Sequence, residues 1–454
     1  MMGSIWIDLV MRSAVSWVFD ASNSDFHCLV TSIPVHLSTG NVANNVDRKS
    51  IGTSSPLIIY PTMIVFLPLL LSFAASTNNN WLSKRLDPYE LQVHDFPETG
   101  RGLRTTRDRA PSEVLMQVMD AVTADTILQR YPRIGQAAGD AASSGSPLTD
   151  EQVLALGLLE LRLEKDAYAL TLPTHQYSVL TLPESLQSCL PRCYGESVDA
   201  SKECTRQLYE NVSRFMAPPL PPLEDFLWAF GTVRSRSISA EELPENPLLT
   251  GPLRRMMLPG FDILNHNDGV TASLELVVGS STWQLTTQES YKAGDQVFLN
   301  YGGRDNVKFL FTYGFCYPSN TENLALFDLQ DLLQACSIAR PLVFTSRVLD
   351  MIRPQLEAVT GSGEERAMFS HDGTKQPRDS LQGGLNMMQQ VSQQVTREKD
   401  DQLSDDITKC LIETRRVELS KGLTTIETID ASGGWNNVQK SIEILLQAEI
   451  DLLH

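Results

Sequence analysis

Residues 258–318 gather side chains able to hold a ligand and to orient a proton. Asp262-Ile263-Leu264-Asn265-His266 threads a carboxylate, an amide and an imidazole through an apolar segment. Tyr301 ends a strand-like stretch and precedes Gly302-Gly303. Tyr313-Gly314-Phe315 closes a short helix-like run. Taken singly, each has a structural account. An Asn-His pair is a cap or a surface turn, and a Tyr before paired glycines is an edge residue of the core. Tyr-Gly-Phe is a helix stop with glycine in the left-handed conformation. Upstream, the stretch 224–236, EDFLWAFGTVRSR, reads as a buried helix running into Arg234 and Arg236. Two arginines suit the dipole of a helix C-terminus. A guanidinium also suits a carboxylate, because its fork can bond both oxygens. Gly100 and Gly102 let the backbone approach a ligand or turn tightly.

These residues need elements to position them. Leu274, Leu276 and Val278 alternate with polar residues, Gly279-Ser280-Ser281 reads as a turn, and Trp283, Leu285 and Thr287 alternate on the return. That pattern predicts a hairpin. Val297, Leu299 and Tyr301 lie on one face of a further strand, and 113–118 reads as a short apolar strand. Between about 119 and 235 the pattern is helical. Thr149-Asp150-Glu151-Gln152 is a capping box opening a helix with Leu154, Leu158 and Leu161 on one face. Leu208, Val212 and Phe215 mark another helix, ended by Pro218-Pro219. Residues 237–257 read as a polar, Pro-containing loop. Beyond Pro318 the stretches 342–356, 407–419 and 436–453 are amphipathic, the last with Val438, Ile442, Leu446, Ile450 and Leu453 in helical register. Residues 361–402, rich in Gly, Ser, Gln and charge, read as a mobile loop.

Composition bounds the function classes. With 454 residues, 42% hydrophobic and 20% charged, the chain has room for two or three domains. A net charge of -18 argues against a nucleic-acid backbone as the main partner, which requires clustered Lys and Arg. It permits a basic or lysine-containing protein partner. Seven scattered cysteines, an odd number, do not make a disulfide framework. Cys189, Cys193 and Cys204 admit a zinc reading, but no second CxxC follows and no His lies close, so no metal is expected. Residues 1–56 lack periodicity and are expected to be a disordered extension. The apolar run 57–75, LIIYPTMIVFLPLLLSFAA, has three readings: a signal or targeting segment, a membrane anchor, or a core helix. The membrane readings would give the chain a contact with a bilayer.

In their order and spacing these motifs resemble the C-terminal half of a SET domain. The likeness is nearest to the branch with plant Rubisco large-subunit lysine methyltransferase and the actin-histidine methyltransferase. The matching positions are Asp262, Asn265, His266, Gly294, Tyr301, Asn306, Tyr313 and Phe315. The likeness covers about 90–454, with specific motifs only in 98–104 and 224–318. It implies an α+β fold: a SET β-fold at 85–325 with a helical insertion at about 119–235, then an all-helical substrate-binding domain at 326–454. Residues 1–84 would stand outside it. The Cys-rich zinc segment of many histone-directed SET enzymes is not visible here.

The resemblance also implies a chemistry and a set of roles. S-adenosylmethionine would donate a methyl group to a side-chain nitrogen. The backbone of Thr99, Gly100, Arg101 and Gly102 would lie against the donor, and Arg236 would reach its carboxylate. Asn265 and His266 would hold the adenine end, with Phe315 packing on the ring. Tyr301 would be the catalytic residue at the transfer point. Tyr313 would be a second channel Tyr, and Asp262 would lie near the target amine or brace the channel. The actin-histidine enzyme has Asn and Trp where Ile238 and Phe261 stand here, and lacks the second Tyr. Lysine of a non-histone protein is therefore the expected acceptor. Histidine methylation, or a catalytically weak SET-fold interaction protein, is the alternative. A monomer is expected, and the sequence does not choose between cytoplasm, nucleus and plastid, with 57–75 open as a signal or anchor segment.

Overall fold

The computed structural model describes residues 81–239, 243–251, 254–360, 369–371, 379–430 and 434–454. The segments 1–56 and 57–75 lie outside them. Fourteen strands are described. They are β1 (Leu91–Phe96), β2 (Gly100–Thr105), β3 (Glu113–Val118), β4 (Val122–Thr123), β5 (Leu148–Thr149), β6 (Ser237–Ser239), β7 (Leu249–Thr250), β8 (Arg255–Met257), β9 (Asn265–His266), β10 (Ala272–Leu276), β11 (Trp283–Thr287), β12 (Gln296–Leu299), β13 (Ala325–Phe327) and β14 (Phe369–His371). The helices of more than six residues that begin after Thr123 are α1 (Ala124–Arg130), α2 (Pro132–Ser143), α3 (Asp150–Leu163), α4 (Arg192–Phe215), α5 (Leu223–Arg236), α6 (Asn306–Tyr313), α7 (Leu329–Ala339), α8 (Ser346–Thr360), α9 (Asp379–Thr396), α10 (Leu403–Ile426) and α11 (Asn436–Leu452).

The sheet that carries the site has the order β1-β2-β12-β9. The hairpin β1–β2 is antiparallel, with Leu91 opposite Thr105 and Phe96 opposite Gly100. β12 joins β2 antiparallel through Gln296 and Arg104. β9 then joins β12 in parallel, Phe298 opposite Asn265 and Leu299 opposite His266. The hairpin foreseen at 274–287 forms as β10 and β11, Leu274 facing Leu285 and Leu276 facing Trp283. The period-2 pattern puts Trp283, Leu285 and Thr287 inside. Val278 departs from that pattern. It sits in the turn, 98% exposed, where Val277 N–H bonds Thr282 O at 2.8 Å. β11 also pairs with β3.

The helical insertion folds on local signals. Thr149 Oγ1 accepts from Gln152 N–H at 3.2 Å, and Gln152 Oε1 accepts from Thr149 N–H at 2.8 Å, closing the capping box of α3. The apolar face of α3 is wider than three leucines, since Val153, Ala155 and Leu156 are buried as well. In α6, Asp305 caps the N-terminus and Gly314 (φ 78°) ends it in the left-handed conformation. A Cβ at Gly314 would stand 2.6 Å from Tyr177 O, so the insertion packs directly on this turn.

Three expectations are corrected. The loop expected at 237–257 contains β6, β7 and β8. β8 lies between β4 and β6, and Met256 and Met257 are buried. The loop expected at 361–402 contains β14 and α9, whose Leu381, Leu385 and Met388 are buried at helical spacing. Residues 361–368 and 372–378 of that loop lie outside the described residues. The helix expected from 342 begins at Ser346, and Leu342 is 93% exposed. Helix α7 was not singled out within the region expected to be helical. A capping box of Asp328 and Asp331 starts it, and Leu332, Leu333, Ala335 and Cys336 bury one face.

Among the described residues three apolar cores result. One includes Leu103, Met116, Val118, Phe261, Trp283 and Val297 under the sheets. A second lies inside the insertion around Ile127, Leu154, Leu158, Phe226 and Phe230. The third joins the helices after β13 to Val179, Leu186, Tyr194 and Val198 of the insertion, and to Val307 and Leu310 of α6.

Candidate active site

The parallel register of β9 and β12 brings residues 264–266 beside Tyr301. The Tyr301 hydroxyl donates to Leu264 O at 2.6 Å. Tyr301 N–H donates to His266 Nδ1 at 3.1 Å. Nδ1 is thus an acceptor, which puts the proton of neutral His266 on Nε2. That Nε2 is buried and has no protein partner. Burial holds the His266 pKa below its ordinary value. Aromatic rings surround it: Phe309 at 4.7 Å between centroids, Tyr301 at 5.2 Å, Tyr317 at 5.4 Å and Phe315 at 6.2 Å. Tyr301 lies 4.7 Å from Tyr313 and 6.4 Å from Phe315. Burial pushes the Tyr301 phenol well above its ordinary pKa, against the pull of Arg236. The hydroxyl stays protonated at neutral pH and acts by hydrogen bonding.

Asp262 sits behind this group. Its Oδ1 accepts Gly260 N–H at 3.0 Å, and its Oδ2 accepts the Tyr168 hydroxyl at 3.1 Å. Arg236, in the last turn of α5, donates to the Asp262 backbone carbonyl and has Nη1 3.9 Å from Oδ2. Arg236 Nε is buried and has no protein partner. Burial raises the Asp262 pKa, while Arg236 draws it back down. Arg101 of β2 donates to Thr171 O at 2.7 Å, and burial beside Arg236 lowers its own pKa.

The glycine lip closes the arrangement. Asn265 Nδ2 donates to Thr99 O and Arg101 O, each at 3.3 Å. Thr99 Oγ1 donates to Gln296 Oε1 at 2.9 Å. A Cβ at Gly102 would lie 2.6 Å from Gln296 Nε2 and 2.7 Å from Asn265 Nδ2. Gly100 (φ +72°) faces open space. Asn306 is fully buried. It binds the backbone of Tyr317 and the Asn320 amide, and so anchors the turn carrying Phe315.

The structure gathers Thr99, Gly100, Arg101, Gly102, Arg236, Asp262, Asn265, His266, Tyr301, Tyr313 and Phe315 into one contiguous cluster. Two members escaped sequence reasoning. Tyr168 and Gln296 carry no local signal, because their partners are remote in the chain. Cys189 and Cys193 serve packing: Cys193 Sγ lies 3.0 Å from Arg415 Nη2. Among the described residues no group of three or more His, Cys, Asp or Glu is placed to hold a metal ion.

Comparison with known proteins identifies the fold. No family model matches the chain. The SET domain of LSMT bound to lysine and AdoHcy superposes with a TM-score of 0.57, covering 84% of this chain and 89% of that one at 19% identity. The fold is that of a SET domain. The α+β class and the helical C-terminal region are therefore as the motifs implied. SET domain-containing protein 4 of Artemia parthenogenetica is 25% identical over 268 residues, 55% of this chain and 63% of that protein. The actin-histidine N-methyltransferase of Mus musculus is 27% identical over 261 residues, 51% of this chain and 40% of that enzyme. The chloroplastic Rubisco large-subunit N-methyltransferase of Pisum sativum is 29% identical over 133 residues, 27% of this chain and 25% of that enzyme. The chain thus spans less than two thirds of the curated relatives it matches. Within the SET fold, the cluster occupies the sheet β2-β12-β9, the C-terminus of α5 and the turn after α6.

Proposed function

We propose that this chain transfers a methyl group from S-adenosylmethionine to a side-chain nitrogen of a protein, and that the acceptor is a lysine of a non-histone protein. The observation that carries the reading is the Tyr301 hydroxyl, fixed on Leu264 O at 2.6 Å, on a ring whose centroid lies 4.7 Å from that of Tyr313. The relatives named for protein methylation support it, as does the solved LSMT fold.

The residues fit the methyl donor. The unpartnered Arg236 Nε would meet its carboxylate by a charge-assisted bond. The backbone at Thr99, Gly100, Arg101 and Gly102 would line its amino-acid end. Asn265 and His266 would hold the adenine, with Phe315 stacked on it. Bound S-adenosylmethionine supplies an electrophilic methyl carbon on a sulfonium.

The chain's own work is then positioning and desolvation. A Lys amine is protonated near neutrality, and a methyl acceptor must be neutral. Burial of the amine against Tyr301 and Tyr313 would favour its neutral form by excluding water. Alignment of that amine by the two phenols supplies much of the rate. Lysine is favoured over histidine because Ile238 and the buried Phe261 offer an imidazole no hydrogen-bonding side chain. We place protein-substrate docking on the helices after residue 325.

The test is donor binding followed by product mapping. The full chain is titrated with S-adenosylhomocysteine by calorimetry, then incubated with labelled S-adenosylmethionine and cell lysate, and labelled peptides are sequenced. Binding and ε-methyl-lysine are expected. Methyl-histidine would overturn the acceptor assignment, and absence of binding would overturn the reading.

A further inference from the structure

Asp262 is held from the helical insertion. Only 2% of its side chain is exposed. The groups that face it come from four elements: Arg236 from α5, Arg101 from β2, Tyr301 after β12, and Tyr168 after α3. Tyr168 is itself buried and lies 94 residues away in sequence, yet its hydroxyl reaches Oδ2 at 3.1 Å. The 3-10 turn that follows it, Ala169–Thr171, offers Thr171 O to Arg101 at 2.7 Å. One turn of the insertion therefore holds both Asp262 and Arg101.

We propose that Tyr168 is a positioning residue of the donor site. Its hydroxyl fixes the Asp262 carboxylate and, through it, the Arg236 guanidinium that receives the methyl donor's carboxylate. The ligand's identity rests on the methyl-transfer reading; the Tyr168–Asp262 bond does not. A hydrogen bond to the charged form of an acid favours that form. Burial opposes ionisation of Asp262, and Arg236 and Tyr168 support it. Without the Tyr168 hydroxyl, Asp262 keeps its proton to higher pH. Protonated Asp262 loses its attraction for Arg236 at 3.9 Å. The guanidinium is then less constrained, and a ligand carboxylate is bound more weakly.

The test uses full-length Tyr168→Phe, Asp262→Asn and the double variant. Thermal unfolding without ligand is followed from about pH 4 to about pH 9, bracketing ordinary and raised carboxylate values. The Tyr168→Phe deficit should widen as pH rises through the Asp262 midpoint, because the lost bond served the carboxylate. At neutral pH Tyr168→Phe should bind S-adenosylhomocysteine about tenfold more weakly, the scale of a hydrogen bond to a charged group. Part of that binding should return at higher pH. The KM for S-adenosylmethionine should rise while kcat changes less than about twofold, the pattern of lost uniform binding. In the Asp262→Asn background, Tyr168→Phe should add nothing.

A deficit equal at every pH, additive effects with Asp262→Asn, or unchanged donor binding would overturn the proposal. A wild-type chain that fails to bind S-adenosylhomocysteine would defeat the methyl-transfer reading instead. The pH-dependent unfolding difference would still decide the Tyr168–Asp262 coupling.

Discussion

At the scale of single residues, Tyr301 and His266 define each other. The Tyr301 backbone N–H fixes the imidazole tautomer, and the Tyr301 hydroxyl is fixed by Leu264 O. Tyr301→Phe keeps the ring contacts with Tyr313 and His266 and removes only the hydroxyl. We expect kcat to fall by about a hundredfold or more, the cost of misplacing reacting groups. Loss of one hydrogen bond should lower stability by only about 1 kcal/mol. Methyl-transfer kinetics and thermal melts check both. His266 makes a pH prediction. Its folded pKa lies below its unfolded value, so the unfolded chain binds its proton first as pH falls. The stability it supports is complete above about pH 6.5 and is lost as pH drops through the folded value. His266→Gln should flatten that part of a melting-temperature profile. The types and spacing of these residues were legible because 262–266, 301 and 313–315 are each local strings. Tyr168 was not legible, since nothing near it in sequence points to Asp262, 94 residues away.

At the scale of elements, the site depends on how closely β2 approaches β12 and β9. Gly102 permits that approach. In Gly102→Ala, the new methyl would press on the ends of Gln296 and Asn265. The fold should survive, because both are side-chain tips and not backbone. S-adenosylhomocysteine binding should weaken about tenfold or more, since Asn265 must leave the Thr99 and Arg101 carbonyls and each lost bond counts. Calorimetry on a variant with a native-like melt checks this. Elements with strong local codes were readable in the sequence: the capping box of α3, the β10–β11 alternation and the glycine stop of α6. Helix α9 was not, because its Gln, Ser and Gly content suggested a loop. The buried Leu381, Leu385 and Met388 outweighed that composition once other helices offered a partner surface. Helix α7 hid for a related reason. Its capping pair is two aspartates, a less familiar signature than Thr and Gln.

At the scale of the whole molecule, the insertion and the C-terminal helices share one core and one buried charge network. Arg415 of α10 is 1% exposed. It donates to Glu449 Oε1 of α11 at 2.7 Å, to Leu326 O of β13 at 2.8 Å and to Asp331 Oδ2 of α7 at 3.2 Å. Tyr194 of α4 donates to Glu449 Oε2 at 2.9 Å and accepts from Leu326 N–H at 3.0 Å. Removing one partner strands the other. Arg415→Met should destabilise the chain by about 3–5 kcal/mol. Adding Glu449→Leu should recover part of that loss, as a double-mutant cycle by denaturant unfolding would reveal. This coupling was invisible in the sequence, because its members are spread from Tyr194 to Glu449. The SET motifs were visible because the residues of the cluster come from short strings. The claim that joins these scales is methyl transfer at Tyr301. It is tested most directly by incubating wild type and Tyr301→Phe with labelled S-adenosylmethionine and lysate, then mapping the label. The proposed function predicts ε-methyl-lysine with wild type and a loss of label with Tyr301→Phe. Equal labelling by both proteins, or no label with wild type, would contradict it.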